Sequence, residues 1–113
     1  MAKRIMDISP NERVLLGAMR KRAPMFVGEY SLAKIGVFLS GYKGALKAYS
    51  LDEKYCIIPQ EFNQFVCSKY DYCSNMGCIW PILQHMPDGK EAIEFFFELL
   101  DGFLEENGFE KIK

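Results

Sequence analysis

At 113 residues the chain is long enough for one hydrophobic core and too short for two. Half of it is hydrophobic and 14% is aromatic, which excludes disorder, while no apolar run approaches the length of a membrane span. The formal net charge of -1 hides an asymmetry: residues 1–50 hold nine Lys or Arg against three Asp or Glu, and residues 88–113 hold eight Asp or Glu against three Lys or Arg.

The opening Met1-Ala2-Lys3-Arg4-Ile5-Met6-Asp7-Ile8 lacks the apolar core and small-residue cleavage site of a signal peptide, so a cytoplasmic protein is expected. Ser9-Pro10-Asn11-Glu12 reads as a capping box with Pro at the first helical position. It predicts a helix from Pro10 to about Arg22, stopped before Pro24, with Arg20, Lys21 and Arg22 at its negative end. Three adjacent cations also suit a nucleic-acid patch, but no interleaved aromatics offer base stacking. Met25-Phe26-Val27-Gly28 reads as an extended link whose apolar side chains plug the core.

Ser31 caps a second predicted helix running to about Tyr49. Leu32, Ile35, Phe38, Leu39, Tyr42, Leu46 and Tyr49 share its apolar face, and Ala33, Gly36, Val37, Ser40, Gly41, Gly44 and Ala48 share the other side. Each internal glycine costs about 1 kcal/mol relative to alanine, a cost offset if another backbone packs closely there. The expectation is a central helix contacted on two sides.

Residues 50–58 read as a loop with a brief extended piece at Tyr55–Ile58. Pro59 opens a third helix with Phe62, Phe65, Val66 and Tyr70 at helical spacing, broken at Asp71–Asn75, and a fourth covers about Met76 to Met86. Asp88-Gly89-Lys90-Glu91 resembles another capping box, opening a last helix that ends at Asn107-Gly108. On it Ile93, Phe96, Phe97, Leu100, Phe103 and Leu104 form the core face, and Glu91, Glu94, Glu98, Asp101 and Glu105 form a separate stripe. The fold expected is all-α, a compact single domain of about five helices spanning residues 1–113, with the second and last helices at its centre.

Nothing in the chain carries a catalytic signature. Cys56, Cys67, Cys73 and Cys78 are separated by 11, 6 and 5 residues, without the Cys-x-x-Cys pairs of a zinc site, and read as reduced thiols. His85 is the single histidine and reads as a surface residue before the Pro87 turn. The glycines match neither a P-loop nor a dinucleotide fingerprint. No enzyme activity, metal or cofactor is expected.

The acidic stripe is the better candidate. Its carboxylates repel one another at a cost of a few tenths of a kcal/mol per neighbouring pair, and nothing in the helix requires them. Phe95 and Leu99 beside the stripe would supply apolar anchors flanked by charge, the layout of an interface hot spot for a basic partner. The candidate contact set is Glu94, Phe95, Glu98, Leu99, Asp101 and Glu105. In the competing reading the first helix or the loop at 50–58 covers Phe95 and Leu99, and the basic residues neutralise the stripe internally. In a third, Phe95 and Leu99 face a second copy of the chain in a small regulatory or structural homo-oligomer.

The run Arg20-Lys21-Arg22-Ala23-Pro24-Met25-Phe26-Val27-Gly28, followed by the helix Ser31–Tyr42 with its Phe38-Leu39-Ser40-Gly41-Tyr42, resembles a group of small bacterial proteins of toxin–immunity loci. These include the immunity proteins of contact-dependent growth inhibition systems. The group carries Arg-x-Arg-Pro-x-Met-Tyr-x-Gly ahead of a Phe-Leu-x-Gly-Tyr helix; here the register shifts at Ala23 and Phe26 replaces the usual Tyr. The resemblance implies a cytoplasmic inhibitor that covers the active site or substrate groove of a cognate toxin domain, a nuclease among the expected partners. It implies no membrane and no direct nucleic-acid contact, and a chain that is monomeric or a weak homodimer when alone.

Overall fold

Each predicted helix forms, though several are held by contacts other than those the local sequence suggests. In the computed structural model, which describes residues 5–70 and 79–112, the helices are α1 (Pro10–Lys21), α2 (Pro24–Val27), α3 (Leu32–Ala48), α4 (Glu61–Lys69), α5 (Ile79–Leu83) and α6 (Lys90–Glu106), with α2 an addition to the five expected. The chain is all-α, and its radius of gyration of 13.5 Å matches the ~13 Å expected of a compact domain this long. The expected break at Asp71–Asn75 and the start of the fourth helix at Met76 lie outside the described residues.

α6 is the hub, contacting α1, α3, α4 and α5, while α3 also packs on α2 and α5. The core at this hub is aromatic. The Phe62 ring of α4 meets Phe96 and Phe103 of α6 edge-on at 5.8 and 5.5 Å, and Phe65 lies 5.4 Å from Phe103. α6 ends in a Schellman motif: Phe109 N–H donates to Leu104 O at 2.8 Å and Gly108 N–H to Glu105 O at 3.1 Å. Gly108, at φ 81°, supplies the left-handed residue the motif requires.

Both expected capping boxes are replaced by long-range bonds. Ser9 makes no side-chain cap; its hydroxyl accepts from the Cys56 N–H at 3.0 Å, and its own N–H donates to Cys56 O at 3.0 Å, tying the start of α1 to the 50–58 loop. Asp88 does not cap α6, whose N-cap Gly89 has no side-chain bond. Its carboxylate instead sits over the N-terminus of α3, accepting from the Ser31 hydroxyl at 2.7 Å and from the Leu32 and Ala33 N–H groups. Ser31 in turn accepts from Lys34 N–H at 3.2 Å. An acceptor with negative charge at a helix start satisfies free donors and complements the helix dipole.

Partial burial pushes the Asp88 carboxyl up, but the hydrogen bonds from Ser31 and the Leu32, Ala33 and Gly89 amides outweigh it and hold the group below the usual carboxylate range. A lowered folded value means the contribution is complete above the unfolded pKa, near 4, and is lost as pH falls through the folded one. Asp88→Ala should cost about 1 kcal/mol at pH 7. Denaturant unfolding of both proteins should show that difference shrinking toward pH 2; a difference independent of pH would contradict the cap.

The link at 25–28 is not extended. Pro24–Val27 form one helical turn, closed by Gly28 at φ 88°. Pro24 at the first helical position favours the turn, and Met25 points outward at 74% exposure, so only Phe26 and Val27 pack against the core.

The second contact face of α3 is also smaller than expected. A Cβ at Gly36 would lie 2.8 Å from Ile79 Cδ1, so α5 does pack closely there, but a Cβ at Gly41 or Gly44 would meet nothing within 4 Å among the described residues. Their helix cost is therefore not offset by close packing among the described residues. Gly44→Ala should raise stability by about 1 kcal/mol and the thermal midpoint by about 4 °C; an unchanged or lowered midpoint would show that the site is tighter than the fold indicates.

Candidate protein-binding face

α1 crosses α6 at the acidic stripe, and one side chain decides what remains of that stripe at the surface. Arg20, in the last turn of α1, donates through Nη1 to Asp101 Oδ2 at 2.9 Å and to the Ile112 carbonyl at 3.2 Å, and through Nε to Glu94 Oε1 at 3.1 Å. A second nitrogen, Nη2, also pairs with Glu94. The guanidinium lies 5.5 Å from the centroid of Phe97. The hydrogen bond with Glu94 raises the Arg20 pKa; partial burial opposes this and Asp101 adds to it, so the charge is permanent. Asp101 also accepts from the Ile112 N–H at 2.9 Å, which seats the buried Ile112 side chain. Arg13, two turns earlier on α1, holds the same tail through the Glu110 carbonyl at 2.9 Å.

The six candidate residues therefore do not share one surface. Asp101 is 8% exposed and Leu99 6%, so neither is available as a contact. The physical reason is that α6 is buried on more sides than a single core face: Ala92, Leu99 and Asp101 lie inside with the six expected core residues. The reading in which basic residues neutralise the stripe holds at Glu94 and Asp101. Burial of Leu99 also removes it from any contact with a second copy of the chain.

Glu94, Glu98 and Glu105 remain exposed, with Glu91 joining them and Phe95 half-buried between. The side chains of Glu94 and Glu105 are 50% and 57% exposed, and Glu105 is loosely paired with Lys111 at 3.6 Å. Glu91 and Glu98 form no ion pair among the described residues. Glu91, Phe95, Glu98, Gly102 and Glu105 follow one another at three- and four-residue steps, so they are neighbours on one outward strip. A Cβ at Gly102 would meet nothing within 4 Å among the described residues, leaving a gap between Glu98 and Glu105. The Phe95 ring rests 6.4 Å from Tyr70, which stacks on the exposed His85 ring at 4.5 Å. The strip thus has an acidic margin, a shallow backbone gap and an aromatic flank.

The two described thiols, Cys56 and Cys67, are unbridged and half-buried. Burial first, then the charges of Glu61, Asp7 and Glu12, push Cys56 up to about 11 against the pull of Lys43, so it stays protonated and weakly nucleophilic. Cys73 and Cys78 lie outside the described residues. Among the described residues no three His, Cys, Asp or Glu side chains gather to hold a metal ion, and no helix is long and apolar enough to cross a membrane.

Arg20 and Asp88 are the residues that the sequence reading undervalued. The opposite charge of the two chain ends signalled a contact between them but could not say which cation meets which carboxylate. No protein-family model matches the chain, and no curated protein or solved structure is similar enough to set beside it.

Proposed function

We propose that the protein is an immunity-type inhibitor that binds a basic toxin domain, a nuclease in the first instance, through the outer strip of α6, and blocks it by occupancy without turnover. The observation that carries the reading is that Glu91 and Glu98 stay exposed and unpaired among the described residues after Arg20 has neutralised Glu94 and Asp101. Charge left without an internal partner on a rigid helix is available to an external one. A nuclease surface must be positive to hold its phosphate backbone, and complementary charge would speed its capture.

The contact set in this reading is Glu91, Glu94, Glu98 and Glu105, with Phe95 and Tyr70 as the apolar flank. Such an inhibitor acts in the cytoplasm, where the nuclease meets its substrate. The resemblance of the Arg20–Tyr42 run to immunity proteins supports the same assignment. That run itself serves the fold: Arg20 in an ion network, Pro24–Gly28 as a turn, Leu32–Tyr42 as a packed helix.

The test is a titration of the chain into the nuclease assay of the toxin domain encoded beside it. A break at one equivalent, with an association rate that falls as salt rises, is the expected result. Undiminished nuclease activity at a tenfold excess would overturn the assignment.

A further inference from the structure

The groove between α1 and α6 already holds a peptide, and that peptide is the chain's own. Among the described residues no backbone–backbone hydrogen bond holds residues 110–112. Side chains of the two helices hold them instead. Arg13 Nη1 donates to the Glu110 carbonyl at 2.9 Å and to the Lys111 carbonyl at 3.4 Å, and Arg20 Nη1 donates to the Ile112 carbonyl at 3.2 Å. Asp101 Oδ1 accepts from the Ile112 N–H at 2.9 Å. The Ile112 side chain is 4% exposed, whereas Glu110 and Lys111 are exposed residues.

Each of the three receptor groups is also fixed by a partner outside this segment. Arg13 bonds Asp7 Oδ1 at 2.6 Å and the Ile8 carbonyl at 3.2 Å. Arg20 is paired with Glu94 and, at 2.9 Å, with Asp101. None of these bonds needs residues 110–112. Departure of the segment would therefore leave two guanidinium donors, one carboxylate acceptor and an aliphatic pocket in place, and groups ordered in advance bind at a lower entropic cost. Phe109 is tied to α6 by its own bond to Leu104 O, so the segment can pivot after it without unwinding the helix.

The contacts read the carbonyls of three consecutive residues, the N–H of the third and the side chain of the third. The first two side chains are free to vary, and no contact requires a covalent link to α6.

We propose that this groove is a peptide-binding site, filled in cis by residues 110–112 and open in trans to an unstructured segment of a partner protein that carries an aliphatic side chain at its third bound residue. The groove meets the α6 strip at Glu94, and at Glu105 through Lys111, but the proposal does not rest on the function assigned to that strip.

The probe is acetyl-Glu-Lys-Ile-Lys-amide, titrated by NMR into the full chain and into its Ile112→Ser variant, whose own segment has lost its anchor. The variant should bind the probe saturably and the parent at least about tenfold more weakly, because the parent's segment must leave first. A probe with Ser in place of Ile, and one methylated on the Ile nitrogen so that it cannot donate to Asp101, should each bind the variant at least about tenfold more weakly. In the parent, the Ile112 amide should exchange hydrogen at least about tenfold faster than the Leu100 amide, through a local opening that low urea does not accelerate. No saturable binding to the variant, or equal binding of all three peptides, would overturn the proposal. Exchange of the Ile112 amide only through the global unfolding that also releases Leu100 would overturn it without any variant. A parent that dimerises with rising concentration, beside a variant that takes up no peptide, would overturn it in favour of the same segment from a second copy.

Discussion

Asp101→Ala is expected to destabilise the fold by about 3 kcal/mol. Asp101 stands at the junction of three segments: it pairs with Arg20 of α1, accepts from the Ile112 N–H of the tail, and belongs to α6. Removing it takes the buried carboxylate away from a partly buried guanidinium, whose remaining acceptors are the half-exposed Glu94 and the Ile112 carbonyl of the tail. It also leaves the Ile112 amide unsatisfied and loosens the buried Ile112 side chain. Arg20→Met should cost a similar amount, about 2–3 kcal/mol, with the methionine keeping some of the packing on Phe97. Because the two residues share one network, the double variant should lose clearly less than the sum of the single losses. Urea unfolding at constant slope measures all three. A loss below 1 kcal/mol for Asp101→Ala, or strict additivity, would mean that the network is incidental to the fold.

This network also sets what the acidic stripe can do. Reversing Glu94, Glu98 and Asp101 together suits a reading of five equivalent surface carboxylates. In the folded chain that change would disrupt the α1–α6 contact, and any loss of binding would report unfolding. The informative set is Glu91, Glu98 and Glu105, which are exposed and carry at most the loose contact with Lys111.

The helix positions and the core face of α6 were legible because both follow from local periodicity. Phe62, Phe96, Phe97 and Phe103 recur at helical spacing and all are buried. What was not legible came from pairings between distant residues. Ser9 and Asp88 each have the composition of a local cap, yet the Ser9 hydroxyl serves an amide 47 positions away and the Asp88 carboxylate a hydroxyl 57 positions away. A side chain that can cap its own helix can equally cap a neighbour that packs against it, and only the packing decides. The width of the buried arc on α6 was underestimated for the same reason. Periodicity locates the centre of a buried face, while the number of neighbouring helices sets how far it extends to Leu99 and Asp101. The close packing expected at the glycines of α3 is found at Gly36 and not, among the described residues, at Gly44.

The second large effect expected is on binding. If the proposed complex forms, changing Glu91, Glu98 and Glu105 to lysine would place three cations opposite the positive surface of the toxin domain, exchanging attraction for repulsion at each position. Mutated charges at an interface rim act mainly on association, and opposed like charges cost several kcal/mol in total. Against a basic toxin domain the triple variant should therefore bind about 100-fold more weakly, a change of about 2.7 kcal/mol. Its stability should stay within about 0.5 kcal/mol of the parent, because none of the three sites holds the core together. Surface-binding kinetics of parent and triple variant on the immobilised toxin domain, with urea midpoints of both, is the most direct measurement. A hundredfold loss carried mainly by the association rate, with an unchanged midpoint, is the predicted result. Equal affinity of the two proteins would contradict the assignment of the α6 strip as the binding face.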